Sequence, residues 1–190
     1  MSNPPASPAQ QYRDTLRANM VRYRPANIAQ GVLLMSTGAL AIAYSLVSFS
    51  TTAAFLLACA LIMSAALQLA MLLLTRQLPY FSVQLASVGS LFAVGLVLIS
   101  AGQIGLPNPP LFVAIFLVID NLSRLIFSFA IRPLTFWWLM TASSVLGLGL
   151  AAVLFQNVPD AGPSFIAVIA GINFMTTGVA TSIVAWHLRS

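Results

Sequence analysis

This sequence predicts an all-α membrane protein of six transmembrane helices, and three observations carry the prediction. Of its 190 residues, 59% are hydrophobic and 6% charged, with a mean hydropathy of +0.96, far from the quarter-charged composition of a soluble domain. Apolar runs recur at close to the ~20 residues that cross ~30 Å of hydrocarbon. Seven of the eight arginines fall outside those runs. None of the runs alternates in polarity as a barrel strand does, so each satisfies its backbone as a helix.

The chain opens with an arm, residues 1–24. MSNPPASPAQQ, rich in Pro, Ser, Ala and Gln, has the composition of a disordered segment. From Tyr12 to Arg24, Tyr12, Leu16, Met20 and Tyr23 recur at helical spacing among four arginines. That pattern fits a short basic helix on an anionic cytoplasmic leaflet, and equally an irregular basic flank. A basic stretch before an apolar one also resembles a signal peptide. The apolar run here exceeds the ~7–15 residues of such a segment, so it is read as a retained first span.

The single membrane domain, residues 25–190, then runs through Ile28 to Val47, Ala53 to Leu74, Tyr80 to Ala101, Leu111 to Ile131, Phe136 to Phe155 and Ser164 to Trp186. Arg13, Arg17, Arg22 and Arg24 precede the first span, Arg76 and Arg132 follow the second and fourth, and Arg189 follows the sixth. The other three turns contain no Arg. By the positive-inside rule both termini are cytoplasmic. Pro25, Pro79 and Pro133 stand 54 residues apart, and the exit arginines Arg76, Arg132 and Arg189 are separated by 56 and 57. The spans therefore read as three antiparallel hairpin repeats, about 25–78, 79–132 and 133–190. Trp137 and Trp138 join the exit arginines as interfacial anchors. Gly31 with Gly38, and Gly171 with Gly178, have heptad spacing; small residues allow helices to approach closely in lipid. Cys59, the one cysteine, reads as a small packing residue.

Within the spans, charge occurs only at Asp120 and Arg124. Charges at bilayer depth cost roughly 2.5–3.5 kcal/mol each on insertion scales, so they face protein or water. Four residues apart, with acid before base, they pair on one helix face. Counting from Arg132, they lie about 18 and 12 Å from the cytoplasmic boundary. Asn121 and Ser123 are placed to satisfy their remaining donors. Gln68 and Thr181, like Arg124, precede an exit arginine by eight residues. If the even-numbered helices line the interior, these three meet in one hydrogen-bonded layer, with Asn173, Thr176 and Thr177 deeper. An acid already matched by an arginine is a poor proton carrier, so a polar clamp is the leading reading. A proton or solute path and a ligand or lipid-headgroup site are the others.

Other chemistry is missing from the sequence. His187, the one histidine, and Cys59 alone make no metal or haem site. No nucleophile, base and acid set is plausible, and no glycine-rich phosphate loop is present. The arginines form no soluble basic face for nucleic acid. The expectation is a protein that is not an enzyme, without cofactor or metal, whose partner is the lipid bilayer, with a homo-oligomer or larger membrane complex open.

The hairpin plan, spans such as FIAVIAGINFMTTGVATSIVAW, and above all NLSRLIFSFAIR at 121–132 resemble the HdeD family of bacterial inner-membrane proteins. Arg124, Leu125, Ser128 and Arg132 match that family's intramembrane Arg-Leu, following Ser and interfacial Arg. The resemblance implies a non-enzymatic inner-membrane protein associated with acid or envelope stress tolerance, or one that binds a membrane-embedded partner. A small channel or proton-linked carrier using Asp120 and an accessory subunit of a larger energy-transducing complex are the alternatives.

Overall fold

The computed structural model describes residues 10–11, 14–15, 18, 21–22, 24–47, 51–74, 81–104, 109–130, 132, 136–158 and 160–187. Every regular element among them is an α-helix: α1 Arg24–Val47, α2 Thr51–Leu74, α3 Phe81–Ile104, α4 Pro109–Ala130, α5 Trp137–Gln156 and α6 Pro163–His187. Prolines open α4 and α6 and occupy the first turn of α1, where a missing N–H costs no hydrogen bond. The described positions of the arm, Gln10, Gln11, Asp14, Thr15, Ala18, Val21 and Arg22, are also helical. Arg76, Pro79, Pro133 and Arg189 lie outside the described residues, as do Tyr12, Leu16, Met20 and Tyr23 of the arm.

Four helices contain stretches long and apolar enough to cross a membrane: Arg24–Ala43, Pro110–Phe129, Trp137–Gln156 and Ser164–His187. α2 and α3 contain the shorter apolar stretches Leu61–Ala70 and Leu85–Leu96. Large apolar side chains cover the outside of the bundle, among them Val32, Met63, Phe92, Leu122 and Val145. In water such a surface would be unfavourable; against hydrocarbon it is the complementary one.

The helices form a closed ring in chain order, each packed on its neighbours, with α6 returning to α1. Contact is most extensive between α6 and α1, then α4 and α5, then α2 and α3. It is narrower within α3/α4, α5/α6 and especially α1/α2. The pairs read from sequence as hairpins are thus the looser ones, and the close approach occurs between them. Glycine explains this at the residue level. A Cβ on Gly95 of α3 would stand 2.6 Å from Ile62 and 3.3 Å from the Ala58 carbonyl of α2. On Gly147 of α5 it would collide with Asn121 of α4. The α6/α1 seam is the tightest. A Cβ on Gly31 would lie 2.8 Å from the Gly178 carbonyl, and one on Gly178 2.5 Å from the Gly31 carbonyl. Gly38 and Gly171 repeat this at 2.5 and 2.8 Å. Two heptad-spaced glycines on each antiparallel helix therefore put backbone against backbone, an arrangement suited to Cα–H···O contacts.

Ring order sets the neighbours of the residues expected in a polar layer. Odd-numbered helices separate the even-numbered ones, so α2 lies between α1 and α3, and α4 meets α6 only narrowly. Gln68 Nε2 instead donates to Ser64 of its own helix at 3.4 Å. No described hydrogen bond joins it to Arg124 or to the half-buried Thr181.

Candidate functional site

The polar side chains inside this apolar ring gather on α4. It is two-faced: Phe112, Ile115, Ile119, Leu122, Ile126 and Phe129 are exposed, and the opposite face carries Asp120, Asn121, Arg124 and Ser128. Asp120 is 1% exposed. Arg124 Nε donates to its Oδ2 at 2.9 Å, the i,i+4 pair that the spacing predicts. The donor to Oδ1 is the hydroxyl of Ser87 on α3. Both carboxylate oxygens are thereby engaged, one from within α4 and one across the α3/α4 seam.

Ser87 was not among the residues singled out from sequence. Only its depth was legible: counted from Phe81, where α3 begins, it lies about 9 Å in, within about two turns of Asp120, but the face it presents was not. Ser123 and Asn121 do not complete the pair as expected. Ser123 donates to the Ile119 carbonyl of its own helix at 2.7 Å. Asn121 lies about 100° around the helix from Asp120 and serves a second junction. Its Nδ2 donates to the Leu117 carbonyl at 2.8 Å and to Asn173 Oδ1 of α6 at 3.0 Å. Both asparagines are fully buried. Gly147 of α5 receives them, since a Cβ there would overlap Asn121 Oδ1 and Asn173 Oδ1. Among the described residues Asn121 Oδ1 and Asn173 Nδ2 have no hydrogen-bond partner, and the first lies against the backbone of Gly147.

Toward the end where α4 finishes, polar pairing continues. Ser143 of α5 meets Thr177 of α6 at 3.4 Å, and Ser128 of α4 meets Thr141 of α5 at 3.0 Å. Thr176 returns to its own helix, on the Ile172 and Asn173 carbonyls. The other half of α4, α5 and α6 is apolar, with Val113, Leu117, Ala151, Leu154, Ile169 and Phe174 in the core.

The polar half ends in a rim of arginine and aromatic rings. Arg132 lies over the Trp137 ring at 4.2 Å, and Phe129 packs on that ring at 6.2 Å. Trp138 is exposed. Arg24 at the start of α1 lies over Trp186 at 5.6 Å and donates to its carbonyl at 3.2 Å, so it serves as a C-terminal cap for α6. His187 contacts the Ile183 carbonyl at 2.9 Å, and its ring lies 4.4 Å from that of Phe136, tilted by 51°. Phe136, preceding α5, has φ of 66°, the left-handed region that a bulky residue rarely adopts.

No protein-family model, curated protein or solved structure matches this chain.

Proposed function

We propose that this chain is an integral protein of the bacterial inner membrane, HdeD-like, with six spans in three repeats and both termini cytoplasmic. Its role is non-enzymatic: tolerance of acid or envelope stress, or binding of a partner within the membrane. One observation supports this above others. Asp120, the only acid within the predicted spans, has both oxygens engaged by Ser87 and Arg124. A carboxylate so held, with a donor on each oxygen from a different helix, ties two helices together. The polar junctions join helices that the hydrophobic effect does not drive together in lipid, and such a rigid bundle suits a structural or partner-binding task.

The test combines reconstitution with physiology. Proteoliposomes containing the wild-type chain are expected to pass no more protons or solute than protein-free vesicles. Cells lacking the chain are expected to survive acid or envelope stress less well, with rescue by the wild type. Flux that is lost in Asp120→Asn while the fold survives would establish the carrier instead. Stoichiometric co-migration with a larger complex in mild detergent would establish the accessory subunit. Reporter fusions at each terminus check the orientation.

A further inference from the structure

The Arg124 side chain retains 18% of its surface accessible although its partner Asp120 retains 2%. It stands about two and a half helical turns from Ile115, opposite the exposed apolar face of α4, and so points into the ring. On that inner face toward the start of α4, Leu117 is 0% and Val113 2% exposed. Leu117 and Val113 close that side of Arg124, and the rim of Arg24, Arg132 and Trp137 lies toward the other end. In that half α4, α5 and α6 are polar, and in the sealed half they are apolar.

The guanidinium has donors to spare. Asp120 takes Nε, and the two terminal nitrogens have no protein partner among the described residues. Inside an apolar bundle, unpaired N–H groups are costly, and the planar fork of an arginine matches a phosphate or carboxylate bidentately. By holding Nε, Asp120 fixes the plane of that fork. We propose that this half of the ring is a one-ended vestibule in which the terminal N–H groups of Arg124 bind an oxyanion of the phosphate class. The phosphate arrives as the free ion or as the headgroup of an anionic phospholipid.

The test uses the full chain in nanodiscs, with thermal unfolding as readout. Inorganic phosphate is titrated in phosphatidylcholine discs against chloride of equal ionic strength, and phosphatidylglycerol discs are measured without phosphate. A saturable rise in midpoint with phosphate identifies the free ion; a rise only with phosphatidylglycerol identifies the headgroup. In either case Arg124→Lys, which keeps the charge but not the fork, is expected to lose the shift. Absence of any Arg124-dependent shift in both arms overturns the proposal. A second readout does not depend on altering Arg124. In a Cys59→Ala background, Phe127→Cys, three residues from Arg124 toward the open end, is expected to react with a water-soluble maleimide, and Val113→Cys to resist it. Equal protection of both, or equal reaction, overturns the vestibule.

Discussion

The unusual property of Asp120 is that its two donors come from different helices. Arg124 is fixed by the same α4 backbone, so their pairing survives small movements of the bundle, but Ser87 is present only while α3 is docked. Removing one partner of a buried ion pair costs more than removing both, because an uncompensated charge remains. Arg124→Leu is therefore expected to destabilise the protein by about 3 kcal/mol, and more than Asp120→Leu/Arg124→Leu does; denaturant unfolding in mild detergent checks the order. Ser87→Ala removes the hydroxyl that donates to the Asp120 carboxylate and is expected to cost about 1.5 kcal/mol by the same measurement. Gly147 tests the second junction. Gly147→Ala pushes a methyl into Asn121 and Asn173, so it is expected to destabilise the protein, with part of the loss recovered in Gly147→Ala/Asn121→Ala. Recovery is the sign of contact, since distant sites add independently.

At the scale of the helix, glycines that look alike in sequence differ in what a side chain would meet. Gly31, Gly38, Gly171 and Gly178 face backbone across the α1/α6 seam, whereas Gly89 and Gly149 have nothing within 4 Å of a Cβ. Gly38→Ala and Gly171→Ala are expected to lower the thermal midpoint clearly. Gly89→Ala and Gly149→Ala are expected to leave it unchanged or raise it, given a helix propensity gain of up to about 1 kcal/mol. The same contrast shows what was legible beforehand. Heptad spacing marked Gly31, Gly38, Gly171 and Gly178 as packing residues, and apolar run length located the helices to within a few residues. The i,i+4 rule found Asp120 with Arg124, because both lie on one helix. What could not be read was rotation about each helix axis and the order of neighbours. Exit arginines report depth but not azimuth, so Gln68, Arg124 and Thr181 could be matched in depth without their facing partners being known. Ser87 was missed, and the pairing of Asn121 with Asn173 was not foreseen, for the same reason. Each contact is decided by which face of one helix meets which face of another.

For the molecule as a whole, the decisive contact is the one that joins its two ends in sequence. α1 touches its successor α2 only narrowly and α6 most extensively of all. The glycine seam, together with Arg24 over Trp186, makes α1 a stave held by the end of the chain. During synthesis α1 is made five helices before its main partner, a strongly non-local contact. The seam with α6 therefore contributes most to where α1 sits. A chain divided between residues 48 and 49 and co-expressed as two pieces is expected to reassemble. The first piece should co-purify with the second and restore its thermal midpoint to near that of the intact protein. Gly31→Leu/Gly38→Leu in the first piece should abolish recovery, because leucines would drive the α1 backbone away from Gly171 and Gly178. If the divided chain reassembles equally well with those leucines, α1 is held by α2 after all, and the seam does not close the ring.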